Sequence, residues 1–459
     1  MKTKKSLWIV IPSVVVVAAI VITVVLLSTS GGAGRSVHVT GNNGQEIATV
    51  TKLSPITAEY ADPAYASYTE MVLAQAIDLI SMQENCSEDE AENILLSGCI
   101  VETSFDPAVF AACKSAYDAS VVADAEFAVA IADLNGNLLC TFSAGGDINF
   151  ALEKTQPYSS FKPLSVYAPA IENNVITWST MFLDAPVKQV KEEDGSYVDW
   201  PSNANGKYTN KNTSVADGVK LSLNTVPIRC LQELGVEQSV DFLKTNFPLI
   251  DLEAEEQIMS SLGSDEVLSN IGLGYLRAGV SPVDMAGFYQ IFANGGTYTQ
   301  PTAVVRISDS DGKTYEPDKK QRQVISQDTA YIMNKLLQNT LSEGGTAQEA
   351  RVDGVLIGGK TGTGENNTDN WFVGFTPQYS IAVWHGRSQN GQNNSPSVFS
   401  ALVAGMDLDK QKSFPVCNSV QELAYCCDSG DLLTFNCRKM EIGFYKTSFQ
   451  PENCNQSNH

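Results

Sequence analysis

Histidine occurs only three times in 459 residues, and nowhere do cysteines fall in the repeated CxxC spacing of a zinc module. Both shortages argue against a metal cofactor held by ordered Cys and His pairs, and no cofactor of any kind is expected. Positive charge is also scarce. Thirty Lys and Arg stand against 52 Asp and Glu, which leaves a net charge of −22. Such a chain repels a phosphate backbone, so nucleic acid is excluded as a partner. No internal repeat is present. Apolar residues are not lacking: at 43% they supply a core and exclude a wholly disordered chain. The length suits one large domain with additions, or two to three smaller ones.

Cysteine is unevenly spread. Cys417, Cys426, Cys427, Cys437 and Cys454 crowd the end of the chain, with Cys86, Cys99, Cys113, Cys140 and Cys230 before them. Ten thiols point away from a reducing compartment and predict disulfides, with the tail from about Asp409 stapled and Cys99 a possible partner of Cys113. Which cysteine joins which stays open. Cys140, in an apolar strand, and Cys230, in a helical run, read as buried thiols instead. At the other end, Lys2, Lys4 and Lys5 precede an uncharged run from Leu7 to Leu27. As a helix that run is about 31 Å long, enough to cross a bilayer core. It predicts a single-pass protein of the cell membrane, with the N-terminus cytoplasmic and the rest extracellular. A cleaved secretory signal normally has a shorter apolar core. The expected divisions are a cytoplasmic tail (1–6), a transmembrane anchor (7–27), a linker and pedestal (28–120), a catalytic domain (121–408) and a cysteine-rich extension (409–459).

Local pattern predicts a hairpin over Val37–Leu53 about Gly41-Asn42-Asn43-Gly44, and a helix over Tyr68–Met82. Phe127–Leu134 and Asn137–Ser143 read as strands joined at Asn135-Gly136, a tight-turn pair. Val355–Gly359, Trp371–Phe375 and Tyr379–Trp384 read as three more strands. Between the two strand groups lie helices. One starts at Ser281-Pro282-Val283-Asp284, with a cap, a first-turn proline and an acid at the third position. Another covers Ala330–Leu341. Strands at both ends around a helical middle predict an α+β fold whose antiparallel β-sheet, flanked by helices, joins sequence-distant strands. His385, on the last of these strands, is read as packed or solvated rather than functional.

Three clusters carry chemistry. Ser159 and Lys162 in Pro157-Tyr158-Ser159-Ser160-Phe161-Lys162-Pro163 are three apart, one helical turn. A serine hydroxyl is a weak nucleophile until a base takes its proton, and an amine becomes that base when burial or a neighbouring cation lowers its pKa. Ser222-Leu223-Asn224 offers a hydroxyl to relay a proton and an amide to hold a carbonyl. Gly358-Gly359-Lys360-Thr361-Gly362-Thr363-Gly364 offers a lysine, two carboxylate-binding hydroxyls and glycines that let an extended substrate come close. The last cluster resembles a phosphate loop only superficially and is not read as one. Each cluster alone is weak.

In this order, however, S-x-x-K, S-x-N and K-T-G are the set of the penicillin-recognising serine transferases. The chain resembles the transpeptidase domain of class A-type penicillin-binding proteins over about residues 100–459. Val101–Asp106, Leu221–Pro227, Val280–Gly296, Gly345–Ala347, Asp369–Phe375, Val383–Gly386 and the Cys427–Gly430, Cys437 and Pro451–Cys454 tail all resemble family segments. The resemblance implies the penicillin-binding/serine β-lactamase-like transpeptidase fold. It implies that Ser159 is acylated, Lys162 takes its proton, and Ser222 with Lys360 passes a proton to the leaving group. By the same resemblance Asn224 orients the donor, and Thr361, Gly362 and Thr363 bind its carboxylate end. The substrate would be a peptidoglycan stem peptide ending in D-Ala-D-Ala, with penicillin and other β-lactams as covalent ligands and a separate glycan polymerase among the partners. A D,D-carboxypeptidase, a β-lactam-hydrolysing enzyme and a slow-turnover β-lactam receptor or scaffold are the alternatives. Two departures stand out. The stretch from Gly34 to Asp106 is too short for a glycan-polymerising domain, so none is expected, and Tyr158 replaces the glycine usual before the nucleophile.

Overall fold

The structure is a computed structural model that describes residues 36–120, 125–191, 194–261, 264–365, 368–386 and 394–456. It begins with β1 (Val37–Thr40), β2 (Glu46–Leu53) and β3 (Ile56–Tyr60), followed by a long helix, Ala66–Glu84. The hairpin falls where Gly41–Gly44 predicts it, with Thr40 opposite Glu46 and Gly44 at a φ of +76°. Next come β4 (Ile100–Thr103), the helix Pro107–Ser120, and the hairpin of β5 (Glu126–Asp133) and β6 (Leu138–Ala144). Far along the chain, β7 (Val304–Ser308) and β8 (Thr314–Tyr315) return to the first sheet, which has the order β8-β7-β4-β1-β2-β3. Its β1 and β4 run parallel and its other pairs antiparallel.

The second sheet takes β9 (Gly358–Thr363), β10 (Asp369–Phe375) and β11 (Tyr379–Gly386) and orders them β9-β10-β11-β5-β6, all antiparallel. Alternation along its strands makes two cores. Phe127, Val129, Ile131, Phe372, Ile381 and Val383 face the first sheet and its helices. Ala128, Ala130, Trp371, Val373, Phe375 and Trp384 face the helical layer. A fully buried side chain of this size contributes roughly 1.5–3 kcal/mol against exposure, so both faces are strongly specified. At the centre of the helical layer is the helix Pro282–Ala293, which lies across β5, β10 and β11. Ser281 and Asp284 close the capping box that the sequence predicts there. The tail forms a hairpin of β12 (Val420–Cys426) and β13 (Met440–Lys446). It docks through Phe444 on Trp178 at 5.1 Å and through the Tyr445 hydroxyl, which donates to Ser179 Oγ at 2.9 Å.

Several expectations need correction. The fold is α+β with flanking helices, and the sheet of sequence-distant strands is antiparallel, but the first sheet is mixed, because β1 enters beside β4 in the same direction. Among the described residues no helix is long and apolar enough to cross a membrane. The run 7–27 lies outside the described residues, so the structure supports neither a transmembrane helix nor a single-pass topology in the cell membrane with an extracellular catalytic domain. The disulfides are also corrected: none of the ten cysteines is in one. Cys113 lies against Cys140, sulfur to sulfur 3.7 Å, and Cys99 Sγ donates to Ile94 O at 3.3 Å. The strand expected over Val355–Gly359 starts later, at Gly358, since Val355 closes a turn onto Val352. His385 is buried and packs edge-on against Phe127.

Candidate active site

Ser159 sits in a 3₁₀ turn, Tyr158–Ser160, and the turn widens into a π-type turn over Pro163–Tyr167. The regular α-helix expected for S-x-x-K is therefore absent until Ala168. Tyr158 has a φ of +49°, which for a residue with a side chain costs about 1–2 kcal/mol. The surroundings hold it there. Its N–H donates to Gly274 O at 3.0 Å, its ring meets Tyr275 edge-on at 5.2 Å, and Gly364 has no room for a Cβ beside that ring. Tyrosine thus adopts the left-handed turn that a glycine would reach without strain. Its ring becomes part of the wall next to Ser159.

Lys162 is fully buried, and its Nζ donates to Asn224 Oδ1 at 2.6 Å and to Leu223 O at 3.2 Å. Burial drives its pKa well below the usual amine value, and the nearby Lys360 ammonium drives it lower still. Ser159 Oγ makes no hydrogen bond among the described residues, so its lone pairs and proton face the cleft uncommitted.

Ser222 and Asn224 occupy the short turn between the helices Val215–Lys220 and Thr225–Leu234. Ser222 is also left-handed, at a φ of +55°. Lys360 reaches it from the edge strand β9: its Nζ donates to Ser222 Oγ at 2.7 Å and to Thr361 O at 3.1 Å. Lys360 too is fully buried, and burial lowers its pKa to about 7. Among the described residues neither buried amine has a carboxylate partner, so the charged form of each is costly.

Gly362 explains how β9 comes so close. A Cβ there would lie 2.4 Å from Pro157 O and 3.2 Å from Ser160 N, so only glycine lets the strand pass the serine turn. The Thr361 hydroxyl donates to Thr346 Oγ1 at 3.3 Å, and exposed Thr363 ends the strand. Ser159, Ser222, Asn224, Thr346, Thr361 and Thr363 line one cleft of about 670 Å³, with Lys162 and Lys360 buried beneath its wall. All eight residues singled out in the sequence therefore converge.

Sequence reasoning missed what holds the S-x-N turn. Asp184 is buried, and its carboxylate accepts from Thr209 N (2.8 Å), Asn203 Nδ2 (2.8 Å) and Thr225 Oγ1 (2.7 Å). Burial pushes its pKa up, but these donors outweigh it and the net shift is down. Asn203 Oδ1 then accepts the Asn224 N–H at 2.8 Å, and Ser202 O accepts the Asn224 side-chain amide at 2.6 Å. No local motif marks Asp184 or Asn203, because these contacts reach across 19 to 41 residues of chain.

The family model for the penicillin binding protein transpeptidase domain matches residues 131–404, more than half of the chain. The chain belongs to this family. Penicillin-binding protein 1A of Clostridium botulinum is 31% identical over 274 residues, which cover 56% of this chain and 30% of that protein. Penicillin-binding protein 1F of Bacillus subtilis is 35% identical over 246 residues, 52% and 31% of the two chains. The matched part thus spans about a third of these curated relatives. Among solved structures, the D,D-transpeptidase domain of a peptidoglycan glycosyltransferase from Eggerthella lenta superposes with a TM-score of 0.60 at 20% identity. It covers 82% of this chain and 98% of that one. Penicillin-binding protein 1A from Haemophilus influenzae gives 0.66 at 18% identity, covering 88% and 79%. At these identities the structures show a shared fold.

Proposed function

We propose that this transpeptidase-family chain is a peptidoglycan D,D-transpeptidase, with the catalytic part within residues 121–408, residues 28–120 as a pedestal and 409–459 as an extension. The observation that carries the proposal is one cleft lined by Ser159, Ser222 and Asn224, with a buried, depressed-pKa lysine bonded to each of the last two. Neutral Lys162 takes the Ser159 hydroxyl proton as Oγ attacks the carbonyl between two D-alanines. The N–H groups of Ser159 and Thr363 receive the oxyanion. As the C–N bond breaks, Ser222, supplied by Lys360, gives a proton to the departing D-alanine amine. An acceptor amine from a neighbouring stem peptide then attacks the ester. A new amide forms and Ser159 Oγ leaves with its proton restored. Asn224 holds the donor amide, and Thr361 with Thr363 holds its terminal carboxylate beside Gly362. A β-lactam enters the same first step and stays as the ester. A glycan polymerase would supply the strands to be joined.

The test is covalent labelling. Wild-type protein incubated with a fluorescent penicillin is expected to carry one adduct, located on the Ser159 peptide by mass spectrometry. Ser159→Ala should carry none, and persistent labelling of that variant would sink the assignment. Supplying a D-Ala-D-Ala peptide with and without an amine acceptor then separates transfer from hydrolysis.

A further inference from the structure

Away from the cleft, the tail brings three thiols together. Cys426 ends β12, Cys437 lies in the connection to β13, and Cys454 lies in the last described segment. Their sulfur atoms all fall within 4.8 Å of one another. Cys426 and Cys454 are buried and Cys437 is half-buried. Three separate pieces of backbone hold them. Cys426 N–H donates to Asp431 O at 2.8 Å, Cys454 N–H to Leu432 O at 2.9 Å, and Leu432 N–H to Glu452 O at 2.8 Å. The convergence is thus built by main-chain pairing and not by one flexible loop.

We propose that Cys426, Cys437 and Cys454 form a three-thiolate site for a borderline-soft divalent cation, zinc foremost. Three mutually close thiols cannot all be satisfied by disulfides, since one pair always leaves an odd sulfur. A tetrahedral ion satisfies all three. Zinc–sulfur bonds of about 2.3 Å place the sulfurs about 3.8 Å apart, so closing onto an ion shortens any pair by at most about 1 Å. Two hydrogen-bond donors point at the sulfurs. Thr434 N–H points at Cys437 Sγ (3.4 Å), and the Ser429 hydroxyl donates to Cys454 Sγ (3.3 Å). Such donors to sulfur stabilise the anionic ligand and fix its direction. Among the described residues no fourth His, Cys, Asp or Glu joins the cluster, which leaves one coordination position for water. The ligands lie far apart in sequence, at positions 426, 437 and 454, so the absence of CxxC pairs hides the site from a spacing argument.

Its effect is structural. The ion would tie the end of the chain to the hairpin that rests on Trp178, Ser179 and, through the Lys446 amine, Ile171 O at 2.8 Å. The full chain, purified under reducing anaerobic conditions with added Zn²⁺, is expected to hold about one zinc per chain by elemental analysis. Co²⁺ in its place should give a thiolate-to-metal charge-transfer band. The single variant Cys437→Ser, at the half-buried position, and the triple Cys→Ser variant should both bind less than a tenth as much. Cys230→Ser, remote from the tail, should bind normally. Because the triple variant tests folding as well as ligation, removing zinc from wild type with a chelator supplies a second readout. It should expose all three thiols to alkylation and speed proteolysis of the tail, and penicillin labelling of Ser159 should persist. Absence of stoichiometric zinc in the reduced protein, zinc retained by the triple variant, or a disulfide between two of the three in the anaerobic protein would each overturn the proposal.

Discussion

Replacing Lys360 with methionine tests the electrostatic account of the cleft through stability rather than turnover. The Lys360 amine is fully buried, and its pKa falls from 10.5 to about 7. That difference corresponds to roughly 5 kcal/mol of preference for the neutral form in the folded state. The sign follows from proton counting. Below pH 7 the amine is protonated in both states and the fold bears the whole cost. Between about pH 7 and 10.5 only the unfolded chain holds the proton, so stability rises by about 1.4 kcal/mol per pH unit. Methionine keeps the length of the side chain and removes the charge. It also removes the donors to Ser222 Oγ and Thr361 O, worth about 1 kcal/mol each. Lys360→Met is therefore expected to be more stable than wild type by about 3 kcal/mol near pH 6. The advantage should vanish near pH 9 and reverse above it, at about 1.4 kcal/mol per unit. Loss of the Lys360 charge also lets Lys162 ionise more easily, which adds to the gain at low pH. Urea unfolding of both proteins at pH 6 to 10, read by tryptophan fluorescence, measures the difference directly. A difference that stays flat across that range would refute the reasoning, because Lys360 would then titrate alike in both states. The same variant should lose most penicillin acylation, since a site that charges its fold for function gains stability when the charge goes.

Other outcomes follow from the same geometry. Gly362→Ala puts a methyl group 2.4 Å from Pro157 O, so β9 must retreat from the serine turn. Its acylation rate should fall at least tenfold with a stability loss of about 1–3 kcal/mol, and wild-type kinetics in a labelling time course would contradict that. Asp184→Asn removes the carboxylate that holds Thr209, Asn203 and Thr225, and should cost about 3 kcal/mol in urea unfolding at pH 7. Because the folded-state pKa of Asp184 lies below its usual 3.8, that contribution is present above this value and fades as pH falls through the folded one. Wild type and variant should therefore converge in strongly acidic buffer, and a gap that persists there would count against a charge effect. Penicillin acylation should rise with pH as the two lysines lose their protons, with a midpoint near 7 from Lys360. A pH-independent rate between 5 and 9 would argue that neither amine has to be neutral.

Much was legible in the linear chain because its signals are local. The hairpin turn at Asn135-Gly136, the capping box at Ser281–Asp284 and the apolar strands depend on residues within a few positions of one another. The three motif clusters are equally local, and their order along the chain was enough to point at the family. Conformation inside a motif was less legible. The Ser159 segment is a 3₁₀ and π-type turn, because β9 and Gly274 crowd it from outside. The cysteines misled for the same reason: their number suggests disulfides, whereas their positions in space bring together Cys113 with Cys140, and Cys426 with Cys437 and Cys454.

The sequence by itself determined which groups are available: a serine, two lysines, hydroxyls and glycines in three short words. That they come together in space is settled by the fold. Edge strand β9 passes the serine turn at a distance that glycine alone permits, and the Asp184–Asn203 network sets the S-x-N turn beneath it. Both lysines are buried between those elements, and it is burial, a property no residue carries alone, that pushes each amine's pKa below its usual value.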